Sequence, residues 1–125
     1  MAQMLAYRPM NRLLALAFAF AATAALGNPA DKDGALVVKA TIEPKKIHEA
    51  CARMEAGEKR RYHWKSNVPV DFNIHYHRGN DISYPVKRSA MRGDGGTFTA
   101  KSGEDYCWMW TAKNAPATIE GRIGK

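Results

Sequence analysis

The sequence lacks the short motifs that mark the common catalytic sites. It has no serine within a Gly-x-Ser-x-Gly turn, no His-Glu-x-x-His pair and no glycine-rich loop suited to phosphate. His48 and Cys51 have the spacing of a nucleophile pair on a helical turn, but a disulfide at Cys51 would silence it. We therefore expect a protein that is not an enzyme and carries no cofactor.

Long apolar runs are also missing after the first quarter of the chain. The early run LLALAFAFAATAAL, residues 13–26, is shorter than the roughly 20 residues that cross a bilayer. Arg8 and Arg12 precede it and small residues follow, which is the layout of a cleavable secretory signal. Cleavage after Ala24 or after Gly27 fits the small-residue rule, and we favour Gly27.

This signal fixes the expected organisation of the chain. Residues 1–27 are predicted to form the signal peptide, 28–34 a linker and 35–125 one domain. The mature protein is expected to be exported, periplasmic or extracellular, without a membrane-spanning segment after cleavage. At this size it can bury one modest core.

The basic residues are not massed in one block. Residues 28–125 hold 17 Lys and Arg against 12 Asp and Glu, a formal charge of +5, and the cations are dispersed along the chain. This dispersal argues against a nucleic-acid partner. A protein or an anionic component of the cell envelope is the expected partner.

Apolar and polar residues alternate through much of the domain. In VPVDFNIHYH, residues 68–77, the apolar side chains fall on one face and the polar ones on the other, as on a β-strand. The segments 59–66 and 105–111 alternate in the same way. Residues 45–58 are ambiguous, because their Ala and Glu content also allows a short helix. Pro85 in DISYPVK is typical of an edge strand or a bulge.

These segments predict an all-β protein. Turn signals separate the alternating runs, and RGDGG at residues 92–96 is interpreted as one such turn. The expected fold is an antiparallel β-sandwich of about seven to eight short strands.

Four features in this order resemble the GOLD (Golgi-dynamics) domain. They are Cys51 before EAGEKRRYHW, the strand VPVDFNIHYHRGNDISY, a glycine-rich stretch leading to GTFTAKSGEDYCWMW, and Asn114. The resemblance covers about residues 35–123 and implies a β-sandwich with a binding role. The coiled coil and membrane anchor of the cargo receptors in that family are missing from this sequence, so we expect a stand-alone domain.

The GOLD resemblance also implies a disulfide between Cys51 and Cys107. Export favours the same bond independently, since two cysteines in an exported chain normally pair. The alternative is that Cys107 and Met109, two apart on one strand face, are soft metal ligands.

Histidines are the other candidate metal ligands. His75 and His77 share the polar face of one predicted strand, and His63 comes within diagonal reach if the strands around residues 66–69 form a hairpin. With Met109 they would make a site for a copper or zinc ion. The same pattern fits an ordinary solvated strand face, so both interpretations stay open.

Two further groups of residues bear on binding. Aromatic side chains from Tyr62 to Trp110 sit on the apolar faces of their strands and are expected to form the core rather than a ligand groove. The charged segment 77–96 is interpreted as a recognition loop. The cations expected to meet an acidic partner there are Arg78, Lys87, Arg88 and Arg92.

Overall fold

The computed structural model of the protein describes residues 33–125, so the predicted signal peptide and residues 28–32 of the linker lie outside the described part. Residues 33–125 contain strands and turns, and no helix long and apolar enough to cross a membrane occurs among them. The strands are β1 (Leu36–Ile42), β2 (Ile47–Met54), β3 (Lys59–Arg78), β4 (Asp81–Thr99), β5 (Glu104–Ala112) and β6 (Ala117–Ile123).

All strand pairs are antiparallel, and the long strand β3 organises them. The first half of β3 pairs with β6, from Tyr62 to Ser66, and β1 lies beyond β6. The second half pairs with β5, from Val70 to His75, and β2 lies beyond β5. Strand β4 runs back along the other side of β3 over nearly its whole length. The long β3–β4 hairpin therefore contributes to both layers of an antiparallel β-sandwich.

The core lies between these two layers. Trp64 of the first layer contacts Trp110 of the second, with ring centroids 6.2 Å apart, and Phe98 contacts Trp108 at 5.9 Å. Phe72 touches the rings of both Trp64 and Trp110. The apolar faces that the alternation predicts are thus buried against each other, which is what holds the layers together.

The strand count differs from the expected seven to eight. Residues 33–125 form six strands, because the predicted segments 59–66 and 68–77 are one continuous strand and the segments around 81–87 and 97–101 are another. Pro69 does not end β3, since the register shifts between Lys65 and Val70 while the strand continues. The expected edge position of Pro85 is confirmed, because β4 pairs only with β3 among the described strands.

Two local predictions are also corrected. Residues 47–54, where a short helix was allowed, form β2, because pairing with β5 satisfies their backbone. The RGDGG segment is not a turn but part of β4, with Gly93 opposite Lys65 and Gly95 opposite His63. A Cβ at Gly93 would lie 3.0 Å from the Trp64 carbonyl oxygen, so glycine here allows close strand approach.

Candidate functional site

An open cleft of about 460 Å³ lies where the two halves of β4 diverge into different layers. Phe98 and Tyr106 are buried at its base, and Tyr76 is half-buried beside them. Tyr84 stands at the rim and is 44% exposed, which makes it one of three large apolar side chains exposed in residues 33–125. The cleft therefore offers aromatic surface to a ligand. The remaining lining residues are Ser83, Pro85, Val86, Thr99, Lys101 and Ser102.

Ring contacts fix the base of this cleft. Tyr106 meets Tyr76 at 5.3 Å and Phe98 at 5.0 Å, both edge to face. Its hydroxyl donates a 2.8 Å hydrogen bond to the carbonyl oxygen of Ser102. Such a base is rigid before any ligand arrives, which lowers the ordering cost of binding.

Two cations contact aromatic rings that line the cleft, and a third lines it directly. The Lys87 ammonium lies 5.2 Å from the Tyr84 ring centroid, and the Arg78 guanidinium lies 5.6 Å from that of Tyr76. Arg78 also donates to Glu104 through Nε at 3.1 Å, which holds it beside the aromatic base. Lys101 is the cation among the lining residues themselves. The cleft thus combines ring surfaces with positive charge.

A second group of polar side chains crosses the outer face of the β3–β5–β2 layer. Cys107 lies directly opposite His75 on one side and Cys51 on the other, and the two cysteines form a disulfide. Glu49 reaches across β5, so that its Oε1 lies 3.3 Å from Nε2 of His75. Nδ1 of His75 lies 2.8 Å from Oδ1 of Asn73. Cys51 and Glu49 are exposed, whereas His75 is buried.

The burial of His75 affects the pKa of its imidazole. Desolvation lowers the pKa of His75, and nearby His77 lowers it further, while the Glu49 carboxylate raises it. Burial is the largest of these effects, so the neutral imidazole is favoured near pH 7. A neutral ring has one N–H to donate, yet both of its nitrogens face oxygen atoms.

The structure brings together only part of the predicted histidine and methionine set. His75 and His77 are neighbours, with ring centroids 5.2 Å apart, and Met109 lies on the same face, opposite Asn73. His63 is paired with Gly95 and Arg122 in the first half of β3, so it belongs to the other layer. It does not approach His75, because β3 continues straight through the predicted hairpin at residues 66–69.

The predicted recognition loop is also placed differently. Arg78 ends β3, and Lys87, Arg88 and Arg92 lie within β4, so these cations belong to strands. Arg78 and Lys87 do not line the cleft but contact the rings of Tyr76 and Tyr84, which do. Arg88 lies 3.8 Å from Asp94 in an ion pair within β4.

Sequence reasoning missed Tyr84, Lys101, Ser102 and Glu49. Tyr84 lies in the first half of β4 and Lys101 two residues beyond the end of that strand, so the two are 17 positions apart, and no local pattern predicts the bend in β4 that brings them to one cleft. Glu49 was missed because the pattern of residues 45–58 is ambiguous and also allows a short helix. Read as a strand, that segment places Glu49 and Cys51 on one face by simple alternation.

Comparison with known proteins adds information on the fold. The sequence matches no protein-family profile and no curated protein. The structure is similar to the Yersinia pseudotuberculosis-derived mitogen, with a TM-score of 0.53 and 10% identity over 73% of this chain and 84% of that one. It is also similar to the pre-peptidase C-terminal domain of a Bacillus anthracis collagenase, with a TM-score of 0.51 and 11% identity over 78% and 88%. Neither protein is described as a GOLD domain, so that resemblance stays an expectation.

Proposed function

We infer that this protein is an exported, non-catalytic binding module whose ligand occupies the cleft between the two halves of β4. The single observation that carries this inference is the open cleft itself, which has the packed rings of Tyr76, Phe98 and Tyr106 in its lining and the partly exposed Tyr84 at its rim. A concave site with apolar walls and a few polar groups is the usual form of a ligand site.

The cleft chemistry favours an anionic saccharide of the cell envelope. A sugar ring presents an apolar face that can stack on tyrosine, while its hydroxyl groups can bond to Ser83 and Ser102. An acidic group on the sugar would meet Lys87, Lys101 or Arg78 at the rim. An acidic ligand is consistent with the net positive charge of residues 28–125.

Export is supported by two observations of different kinds. Residues 1–27 have the layout of a secretory signal, and the described domain contains the Cys51–Cys107 disulfide, a bond that persists in oxidising compartments. We place the protein in the periplasm or outside the cell on these grounds.

The test is a titration of the isotope-labelled protein with trigalacturonate, an acidic oligosaccharide, and with neutral cellobiose. Trigalacturonate is expected to shift the amide resonances of Tyr84, Lys101 and Ser102, and the shifts should weaken in high salt. Tyr84→Ala should abolish the shifts, whereas Ile47→Ala, which removes an exposed side chain on β2, should leave them unchanged. Shifts with neither sugar would contradict saccharide binding, and equal shifts with both would remove the requirement for an acidic group.

A further inference from the structure

Three side chains with metal-ligand chemistry converge on the outer face of the β3–β5–β2 layer, and a fourth, His75, lies beside one of them. The ligand atoms of Glu49, Cys51 and Cys107 all lie within 4.8 Å of one another. His75 joins them through its 3.3 Å contact with Glu49 and its position opposite Cys107. Glu49, Cys51 and Cys107 are the only group of three or more His, Cys, Asp and Glu with ligand atoms this close together within residues 33–125, and His75 lies outside that 4.8 Å limit for at least one of them.

One ring nitrogen of His75 faces an oxygen acceptor, which is the arrangement usual in metal-binding histidines. Histidines that bind metals usually donate the other ring N–H to a carbonyl or carboxylate oxygen. Here Nδ1 faces Oδ1 of Asn73 at 2.8 Å, and Asn73 is itself buried. When Nδ1 donates to Asn73, Nε2 faces the Glu49 carboxylate, and either a proton or a metal ion between these two atoms satisfies both of them.

The separations also suit zinc. Nitrogen and oxygen ligands at about 2.0–2.2 Å from a tetrahedral zinc ion lie roughly 3.3–3.5 Å apart. The contact between His75 Nε2 and Glu49 Oε1 measures 3.3 Å. Two thiolates at about 2.3 Å from the ion would lie roughly 3.8 Å apart, so the two sulfurs can join only after the disulfide is broken.

We propose that reduction of the Cys51–Cys107 disulfide creates a tetrahedral Zn²⁺ site formed by Cys51, Cys107, His75 and Glu49. A dithiol reductant supplies two electrons and two protons, which break the S–S bond and leave two thiols, while the reductant becomes a disulfide. Each Sγ is then free to rotate toward His75. Zinc displaces the two thiol protons and binds the resulting thiolates.

The disulfide therefore controls access to the metal. In the oxidised protein the sulfurs are bonded to each other and the metal has only a carboxylate and an imidazole. In the reduced protein it gains two thiolates, the ligands that select zinc most strongly. The exposure of Cys51 gives both the reductant and the ion a route to the site. This inference does not depend on the ligand proposed for the cleft, although Tyr84 at the cleft rim also contacts the His75 ring, at 5.8 Å between ring centroids.

The test uses the secreted protein and two probes, Zn²⁺ alone and Co²⁺ alone. After treatment with a metal-free phosphine reductant, one equivalent of Co²⁺ should give the absorption bands of a tetrahedral thiolate complex, and Zn²⁺ should bleach them. The oxidised protein should show no such bands. If reduction unfolds the protein, one equivalent of Zn²⁺ should restore its circular dichroism spectrum. Absence of both cobalt bands and zinc-induced refolding would overturn the proposal.

Matched variants separate this site from binding by thiols alone. Cys51→Ser combined with Cys107→Ser should abolish the cobalt bands, and Glu49→Gln or His75→Gln should weaken Zn²⁺ binding at least tenfold. His63→Gln and His77→Gln are the controls and should bind as the wild type does. Since His75 is buried, Glu49→Gln is the decisive variant if His75→Gln fails to fold. Unchanged affinity in Glu49→Gln would exclude the four-ligand site.

Discussion

Asp71 accepts a 2.9 Å hydrogen bond at Oδ1 from the backbone amide of Ala90, on the adjacent strand β4. At this point two residues of β4 oppose one of β3, because Val70 pairs with Met91 while Phe72 pairs with Arg88. Ala90 adopts a left-handed conformation, with φ of 51°, within this bulge. The carboxylate thus holds β4 at the place where its direction changes.

Low pH should weaken the hydrogen bond between the Asp71 carboxylate and the Ala90 amide. The amide of Ala90 is the largest cause of a lowered pKa at Asp71, and Lys113, 3.2 Å away, lowers it further. A lowered pKa means that the stabilisation is present above the ordinary value of 3.8 and is lost as pH falls through the folded-state value. Asp71→Ala should therefore be less stable than the wild type at pH 7, with the difference shrinking below pH 4.

The size of this effect is limited by solvent. The Asp71 side chain is 41% exposed, and screening keeps the expected loss near or below about 1 kcal/mol. Urea unfolding at pH 7 and pH 3 measures it. Asp71→Asn, which keeps an oxygen acceptor for the Ala90 amide, is the matched control and should lose less. A difference that stays constant across this pH range would contradict the assigned role of the charge.

Gly121 should not tolerate a side chain. A Cβ there would lie 2.7 Å from both the His63 carbonyl oxygen and the Trp64 Cβ, so β6 would have to move away from β3. Overpacking of this kind costs about 1–3 kcal/mol. Gly96→Ala is the control, because its nearest atom would be the Tyr62 hydroxyl at 4.0 Å. Thermal unfolding of the two variants should differ clearly, and equal melting temperatures would contradict the predicted clash.

Loss of the disulfide should lower the free energy of unfolding by an amount that depends on the length of the loop it closes. Cys51 and Cys107 are 56 residues apart, for which the chain-entropy model gives about 4 kcal/mol. Cys51→Ser with Cys107→Ser should therefore unfold at a markedly lower urea concentration. The wild type measured in reductant without metal should match this double variant. A double variant as stable as the oxidised wild type would refute the expectation.

Two aromatic residues of the cleft should respond differently to truncation. Phe98 is buried against Tyr106 and Trp108, so Phe98→Ala should destabilise the fold by about 3–5 kcal/mol. Tyr84 is 44% exposed and lies outside the buried core, so Tyr84→Ala should cost far less. Guanidinium unfolding of both variants checks the contrast. Similar losses would mean that Tyr84 serves the core rather than the cleft surface.

Local alternation predicted the core well. Val70, Phe72 and Ile74 were expected on one face of a strand, and all three are buried. Alternation also placed His75 and His77 together on the opposite face, where the structure has them. These features depend on neighbouring residues in one strand, which the period of two describes directly.

The remaining features depend on distant parts of the chain. His75 is buried although it lies on the polar face, since Glu49 and Tyr84, on other strands, contact its ring. The approach of His63 to His75 required a hairpin at residues 66–69, whereas β3 changes partners there without ending. Such exchange of strand partners is a property of the whole sandwich.

The continuity of β3 also bears on how this domain can change through evolution. Because both layers use the same strand, a genetic break within residues 59–78 would leave each product without its central strand. Neither layer can be duplicated, lost or fused to another protein by itself. New sequence is better tolerated at the exposed turn of Gly79 and Asn80, where no strand is interrupted. The domain is therefore expected to be inherited as a single unit that varies mainly at this turn.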